Sequence, residues 1–226
     1  MRCYDPLKPL IFIHVPKCAG TAVRQVVESW FPKNFHQHYY NGVEGRMPVQ
    51  IPSQILNDPA SPPVIYGHFN KNRKFGIQDY YPSVSQFVTI LRDPFETVIS
   101  RYFFMRKVGK NLKDQSRVPT EDLESYLKHV TPNILNHFPD EMNLTNYKDL
   151  LEERFIEIGV TEMLPLSLHR IAQKLNKQFK PASLEFVNDT KRDQPTPEAF
   201  RDMFAEKYLL EYSVYEYAKS RISGLQ

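Results

Sequence analysis

The chain has 226 residues, 41% hydrophobic and 13% aromatic, with a formal net charge of +3 and two cysteines. This composition excludes a disordered chain and a disulfide scaffold, and the small net charge gives no case for a dedicated nucleic-acid binder. No signal peptide and no apolar run of membrane-spanning length is seen, so the expectation is a soluble, cytoplasmic protein in a reducing compartment, without a membrane anchor.

Leu10 to Val15 is an apolar run with β-branched residues, the pattern of a strand buried on both faces. Pro16 ends it, Gly20 lets the backbone turn, and Ala22, Val23, Val26, Val27 and Trp30 then recur at helical spacing. The loop of this strand–loop–helix unit carries Lys17. Free N–H groups and the dipole at a helix start, with a lysine beside them, make an anion site. A nucleoside-triphosphate P-loop is longer and places its lysine after the second glycine. Here Lys17 comes before Gly20, with only Cys18 and Ala19 between, which argues against that loop. The plain alternative is an ordinary strand–turn–helix with a surface lysine. Cys18 reads as a small filler rather than an activated thiol, because no partner for it is apparent.

Phe31 to Pro63 is rich in Pro, Asn and Gly and reads as a long loop with a short helix near Ser53 to Asn57. His36 and His38 fall in that loop and are expected to face solvent, whereas His14, within the first strand, is expected to be a hydrogen-bonded core residue. Val64 to Tyr66 is a short strand ending at Gly67-His68. The loop from Phe69 to Pro82 holds Asn70, Lys71, Arg73 and Lys74, either a solvated surface or a patch for an acidic acceptor. Phe87 to Leu91 is a second strong strand running into Arg92-Asp93-Pro94, with Asp93 as N-cap and Pro94 at the first helical position. Phe95, Val98, Ile99, Tyr102 and Phe103 form the apolar face of the helix that follows. Ser100 returns to nearly the same side as Asp93 and can share an anion with Arg92.

Lys107 to Pro119 is a polar loop, with helices expected over about Thr120 to Val130 and Tyr147 to Glu153. A strand at Phe155 to Val160 leads into a helix from Thr161 to about Leu175. Asn188 to Thr196 is polar and irregular, and Pro197 to Ile222 is helical and aromatic-rich, serving the core or an oligomer contact. This alternation predicts an α/β fold, a mostly parallel central sheet flanked by helices, in a single domain over residues 1–226. Ligands of such sheets sit beyond the carboxyl ends of the strands, so Lys17, His68 and Arg92 are expected along one edge.

Pro-Lys-Cys-Ala-Gly-Thr at residues 16–21 resembles the 5′-phosphosulfate loop of sulfotransferases that use 3′-phosphoadenosine 5′-phosphosulfate (PAPS), usually written Pro-Lys-Thr-x-x-Thr. Arg92-Asp93-Pro94 with Ser100 and Tyr102 resembles their 3′-phosphate motif. Gly67-His68-Phe69-Asn70, together with Asn188, Thr190, Lys191 and Arg192, is similar to the uronyl 2-O-sulfotransferase branch, which includes the heparan sulfate enzymes. The likeness is patchy but runs from Leu10 to Ile222. It implies a P-loop-like sulfotransferase fold with PAPS as donor and no metal. Lys17, Cys18, Ala19, Gly20, Thr21 and Ala22 would hold the 5′ end, and Arg92 and Ser100 the 3′ phosphate. Thr190, Lys191 and Arg192 would close over the nucleotide, and His68 would be the base that deprotonates the acceptor hydroxyl. Lys17 would stabilise the leaving phosphate, and Asn70, Lys71, Arg73 and Lys74 would meet the acceptor, a carbohydrate, with an acidic one included, or another hydroxyl-bearing molecule. Two departures stand out: Cys18 replaces a threonine, and Thr97 stands where the family often has arginine. The competing functions are a nucleoside-triphosphate phosphotransferase and a non-catalytic binder of anionic glycans. The acceptor and the oligomeric state stay open, a homo-oligomer included.

Overall fold

The computed structural model describes residues 1–181, 184 and 192–224. At its centre is a five-stranded sheet of β1 (Leu10–Ile13), β2 (Phe35–His38), β3 (Val64–Gly67), β4 (Phe87–Leu91) and β5 (Phe155–Val160). The strand order is β2-β3-β1-β4-β5, and every neighbouring pair is parallel. The helices are α1 (Gly20–Trp30), α2 (Ser53–Leu56), α3 (Ile77–Tyr80), α4 (Pro94–Val108), α5 (Leu123–His129), α6 (Tyr147–Arg154), α7 (Leu164–Lys174), α8 (Arg201–Lys207) and α9 (Leu209–Ser223).

The two-residue period of the strands sorts the core into layers. Leu10 and Phe12 of β1 join the cluster of Val23, Val26 and Val27 from α1 and Leu168 and Ile171 from α7. Ile11 and Ile13 join the opposite cluster, which includes Leu151 of α6 and Val214, Ala218 and Ile222 of α9. Because both faces are covered, every residue of β1, β3, β4 and β5 is buried, which is why these strands read as predominantly apolar runs, broken only by polar Thr89 in β4 and Glu157 in β5. Each large side chain so placed contributes roughly 1.5–3 kcal/mol of burial free energy. A third cluster joins Phe95, Val98, Ile99, Tyr102 and Phe103 of α4 to α5 and to Phe204 of α8. From β1 the chain builds outward to β3 and β2 on one side and to β4 and β5 on the other. The boundary between β1 and β4 is therefore the switch point beside which ligands of such sheets bind.

Several sequence expectations need correction. The stretch from Phe31 to Pro63 contains β2, an edge strand whose Phe-His-Gln-His sequence lacks a β-branched run. His38 is fully buried rather than solvent-facing; its ring stacks on Phe69 with centroids 4.6 Å apart. His36 is half-buried in the same strand. β1 stops at Ile13, so His14 lies beyond the strand rather than inside it. The loop after β3 carries a 3-10 turn (Lys71–Arg73) and α3. The helical region after Pro197 is broken into a 3-10 turn, α8 and α9. Gly67 pairs with His38, and a Cβ there would lie 1.9 Å from the His38 carbonyl oxygen, so glycine alone lets β2 and β3 close just before His68.

Candidate functional site

The carboxyl ends of β1, β3, β4 and β5 open on one cleft of about 920 Å³. Its first wall is the turn after β1. There the Cys18 N–H donates to the Val15 carbonyl at 3.2 Å, and Lys17 and Ala19 adopt left-handed φ values of 72° and 56°. Such a conformation costs a non-glycine residue about 1–3 kcal/mol, and it turns successive N–H groups toward one point, the geometry that cradles anions. α1 starts without a side-chain cap and without an acidic residue in its first turn, so nothing on the helix offsets the positive end of its dipole. Gly20 is required here: a Cβ on it would sit 1.7 Å from Nε2 of His14.

The Lys17 ammonium rests 3.9 Å from the centre of the Phe104 ring, a cation–π contact. Burial, reinforced by the charges of Arg92 and Lys107, lowers its pKa to about 8. Cys18 is buried beneath the loop, and burial pushes its thiol up to about 12, so it acts as filler and not as an activated thiol.

His68 follows β3 directly. Its Nδ1–H donates to the His14 carbonyl at 2.6 Å, which leaves the Nε2 lone pair as the acceptor. Burial lowers its pKa to about 4, the bond to the His14 carbonyl opposing and Arg117 adding to the shift. The His14 ring packs against it with centroids 4.2 Å apart, and His14 Nδ1 meets the Tyr39 hydroxyl at 2.9 Å.

The third wall is the start of α4. The Asp93 carboxylate accepts from the Glu96 N–H at 3.0 Å and Pro94 takes the first helical position, a cap worth about 1 kcal/mol. Arg92 pairs with Glu96 at 3.3 Å. The same carboxylate accepts from Arg192 at 2.5 Å and Arg201 at 3.1 Å. Burial works to raise the Glu96 carboxyl, but Arg192, Arg92 and Arg201 together hold it below the usual range. Ser100 lines the cleft two turns further along α4. Tyr102 does not; its hydroxyl donates to the Glu121 carbonyl at 2.9 Å, in the contact between α4 and the approach to α5.

The cleft therefore brings together Lys17, Ala19, Gly20, Thr21, Ala22, His68, Arg92 and Ser100, with Cys18 beneath them. Arg192 reaches it through Glu96, whereas Thr190 and Lys191, like Asn188, lie outside the described residues. Asn70, Lys71, Arg73 and Lys74 stand outside its walls. Asn70 caps the 3-10 turn, accepting from the Arg73 N–H at 3.2 Å. Lys71 pairs with Glu141 at 2.5 Å, the Arg73 guanidinium lies 4.1 Å over the Tyr40 ring, and Lys74 is exposed in a left-handed turn.

Sequence reasoning missed Glu96, Phe104, Glu162 and His14 as cleft residues. Glu162 follows β5 as Lys17, His68 and Arg92 follow their strands, so the same strand-end rule would have found it. Phe104 is one turn beyond Ser100 on the same face of α4. Among the described residues no group of three or more His, Cys, Asp or Glu side chains is arranged to hold a metal ion, and no helix is long and apolar enough to cross a membrane.

The profile of a family described as "Sulfotransferase family" matches residues 3–203. Among solved structures, the chain is similar to mouse sulfotransferase SULT7A1 complexed with PAP, at a TM-score of 0.55 and 14% identity, over 95% of this chain and 89% of that one. At that identity the likeness shows the shared fold, a parallel five-stranded sheet flanked by helices. No curated protein sequence matches.

Proposed function

The chain belongs to the sulfotransferase family, and from that premise we propose that it transfers a sulfuryl group from PAPS to the hydroxyl of a carbohydrate. One observation carries the reading: a single cleft at the strand ends holds a basic anion loop, an imidazole with a free lone pair, and an arginine–serine pair. PAPS supplies a sulfuryl group already activated on a phosphate. The donor set suits it, with two separate anion positions for the two ends of an adenosine bisphosphate. The N–H groups around Lys17 to Ala22 receive the 5′ end, and the Arg92 guanidinium and Ser100 hydroxyl receive the 3′ phosphate. Arg192, tied to Arg92 through Glu96, adds charge on the same side.

His68 Nε2 takes the proton from the acceptor hydroxyl as its oxygen bonds to sulfur, and Lys17 offers positive charge where the departing oxygen gains the electron pair. Most of the work is positioning and electrostatics, as in phosphoryl transfer. Arg117, whose charge already bears on His68, and Arg73 on the Tyr40 ring favour an acidic carbohydrate as acceptor. Lys71 contributes less, because Glu141 offsets its charge.

Calorimetric titration with adenosine 3′,5′-bisphosphate, AMP and ATP tests the donor site. The bisphosphate should bind at least about tenfold more tightly than either, since one phosphate contact with arginine is worth roughly 1.5–3 kcal/mol. ATP binding equal to the bisphosphate would favour the phosphotransferase reading instead.

A further inference from the structure

His14 is not accounted for by the roles above. Its ring lies in the wall of the cleft, against His68 on one side and the first turn of α1 on the other. The Tyr39 hydroxyl has a single hydrogen-bond partner among the described residues, His14 Nδ1 at 2.9 Å. With the Tyr39 hydroxyl donating to Nδ1, His14 carries its own proton on Nε2. His68 has the opposite arrangement, with Nδ1–H on the His14 carbonyl and Nε2 bare. In that tautomer the two tilted imidazoles present opposite chemistry to one cleft, an acceptor from His68 and a donor from His14. The Nε2 edge of His14 faces Gly20, where the helix start is poised to receive an anion.

We propose that His14 is a second catalytic residue, which donates a hydrogen bond from Nε2–H to a non-bridging oxygen of the sulfuryl group during transfer, in a tautomer that Tyr39 holds. The proposal rests on the sulfotransferase reading and assigns a task within it. As the acceptor oxygen bonds to sulfur, the bond from sulfur to the bridging oxygen breaks and its electron pair stays on the 5′ phosphate. The acceptor proton passes to His68 Nε2, while the His14 proton stays in place throughout. A neutral donor suits this work better than an imidazolium, because it stabilises the sulfuryl oxygens without a competing proton transfer. Burial holds His14 well below its ordinary pKa and keeps it neutral, consistent with that role. Gly20 fits the same picture, since any side chain there would displace the donor edge.

Orthovanadate, a mimic of the sulfuryl group in transit, provides a test that needs no acceptor. With adenosine 3′,5′-bisphosphate bound, vanadate affinity should fall about tenfold to a hundredfold in His14→Leu, the scale for losing one donor to a transition-state oxygen. His14→Gln, which returns an N–H near the Nε2 position, should recover most of the loss, and Tyr39→Phe should show an intermediate defect. Bisphosphate affinity, titrated in parallel for each variant, separates loss of the donor from disturbance of the loop beside Gly20: vanadate affinity should fall by more than bisphosphate affinity in His14→Leu. Long-range proton–nitrogen NMR on the wild-type chain should find His14 protonated at Nε2 and His68 at Nδ1. Vanadate affinity unchanged in His14→Leu, no rescue by His14→Gln, or a His14 proton on Nδ1 would each overturn the proposal. Failure of the wild-type chain to bind the bisphosphate would overturn the underlying sulfotransferase reading instead.

Discussion

Lys17 offers a quantitative test because its pKa is lowered to about 8 by burial and by Arg92 and Lys107. A phosphate placed at the loop opposes those causes and returns the ammonium toward the ordinary lysine value of about 10.4. Binding adenosine 3′,5′-bisphosphate must then take up a proton wherever free Lys17 is partly neutral. At pH 8 the free side chain is half protonated, so uptake should approach about half a proton per site, and at pH 7 only about a tenth. Affinity should fall about tenfold between pH 7 and pH 9, the cost of recharging the lysine. The pH 8 value is the one to read, since the phosphates, with a second ionisation near about 6, are almost fully ionised there but still carry about a tenth of a proton each at pH 7. Cys18, the nearest other titrating group, is pushed up to about 12. Titration calorimetry in buffers of different ionisation enthalpy measures the uptake directly, and Lys17→Met supplies the control. Zero uptake at pH 8 in the wild-type chain, or the same uptake in Lys17→Met, would refute the assignment of this lysine to the anion.

Other expectations follow from named contacts. Arg92→Ala should lose the preference for the bisphosphate over AMP while keeping AMP affinity within about twofold, as parallel titrations would show; an intact preference would detach Arg92 from the 3′ phosphate. Arg73→Ala should raise the Michaelis constant for an acidic polysaccharide and flatten its salt dependence, whereas Lys71→Ala, already offset by Glu141, should do neither. His38 and His68 have pKa values lowered to about 4 and His137 to about 3, all by burial. Below the unfolded value of 6.5 the unfolded chain binds protons that the folded chain refuses, so stability should drop as pH falls from 6.5 toward 4. Each of these histidines adds up to about 1.4 kcal/mol per pH unit in that window, measurable by urea denaturation; a flat profile would contradict their burial as neutral groups. Glu157, fully buried, is met by Arg170 at 3.4 Å. Arg170→Met should therefore cost about 3–5 kcal/mol by leaving a buried charge unpaired, and Glu157→Gln in the same chain should restore much of it.

Four of the five strands were legible because each is buried on both faces and so is predominantly apolar. β2 was hidden for the opposite reason: it is an edge strand of Phe-His-Gln-His with no apolar run, and its pairing to β3 depends on Gly67, far along the chain from it. The strand-end rule located Lys17, His68 and Arg92, because a residue just past a parallel strand can only project toward that edge. It did not locate Glu96, whose importance comes from three arginines that converge on it from residues 92, 192 and 201. Such convergence is a property of the folded chain and leaves no local pattern. His14 was misread since a polar residue at the end of an apolar run looks the same whether the strand includes it or stops one residue short. The cations after His68 looked like one patch in sequence, yet the 3-10 turn at Lys71–Arg73 sends Lys71 to Glu141 and Arg73 to Tyr40.

The central claim is tested most directly by transfer of radiolabelled sulfate from PAPS to a panel of acidic and neutral polysaccharides, comparing the wild-type chain with His68→Ala. The account predicts label on an acidic polysaccharide, a loss of about two orders of magnitude or more in His68→Ala, and unchanged affinity for adenosine 3′,5′-bisphosphate in that variant. Undiminished transfer by His68→Ala would contradict it, as would a wild-type chain that labels nothing from PAPS yet transfers phosphate from ATP to the same panel.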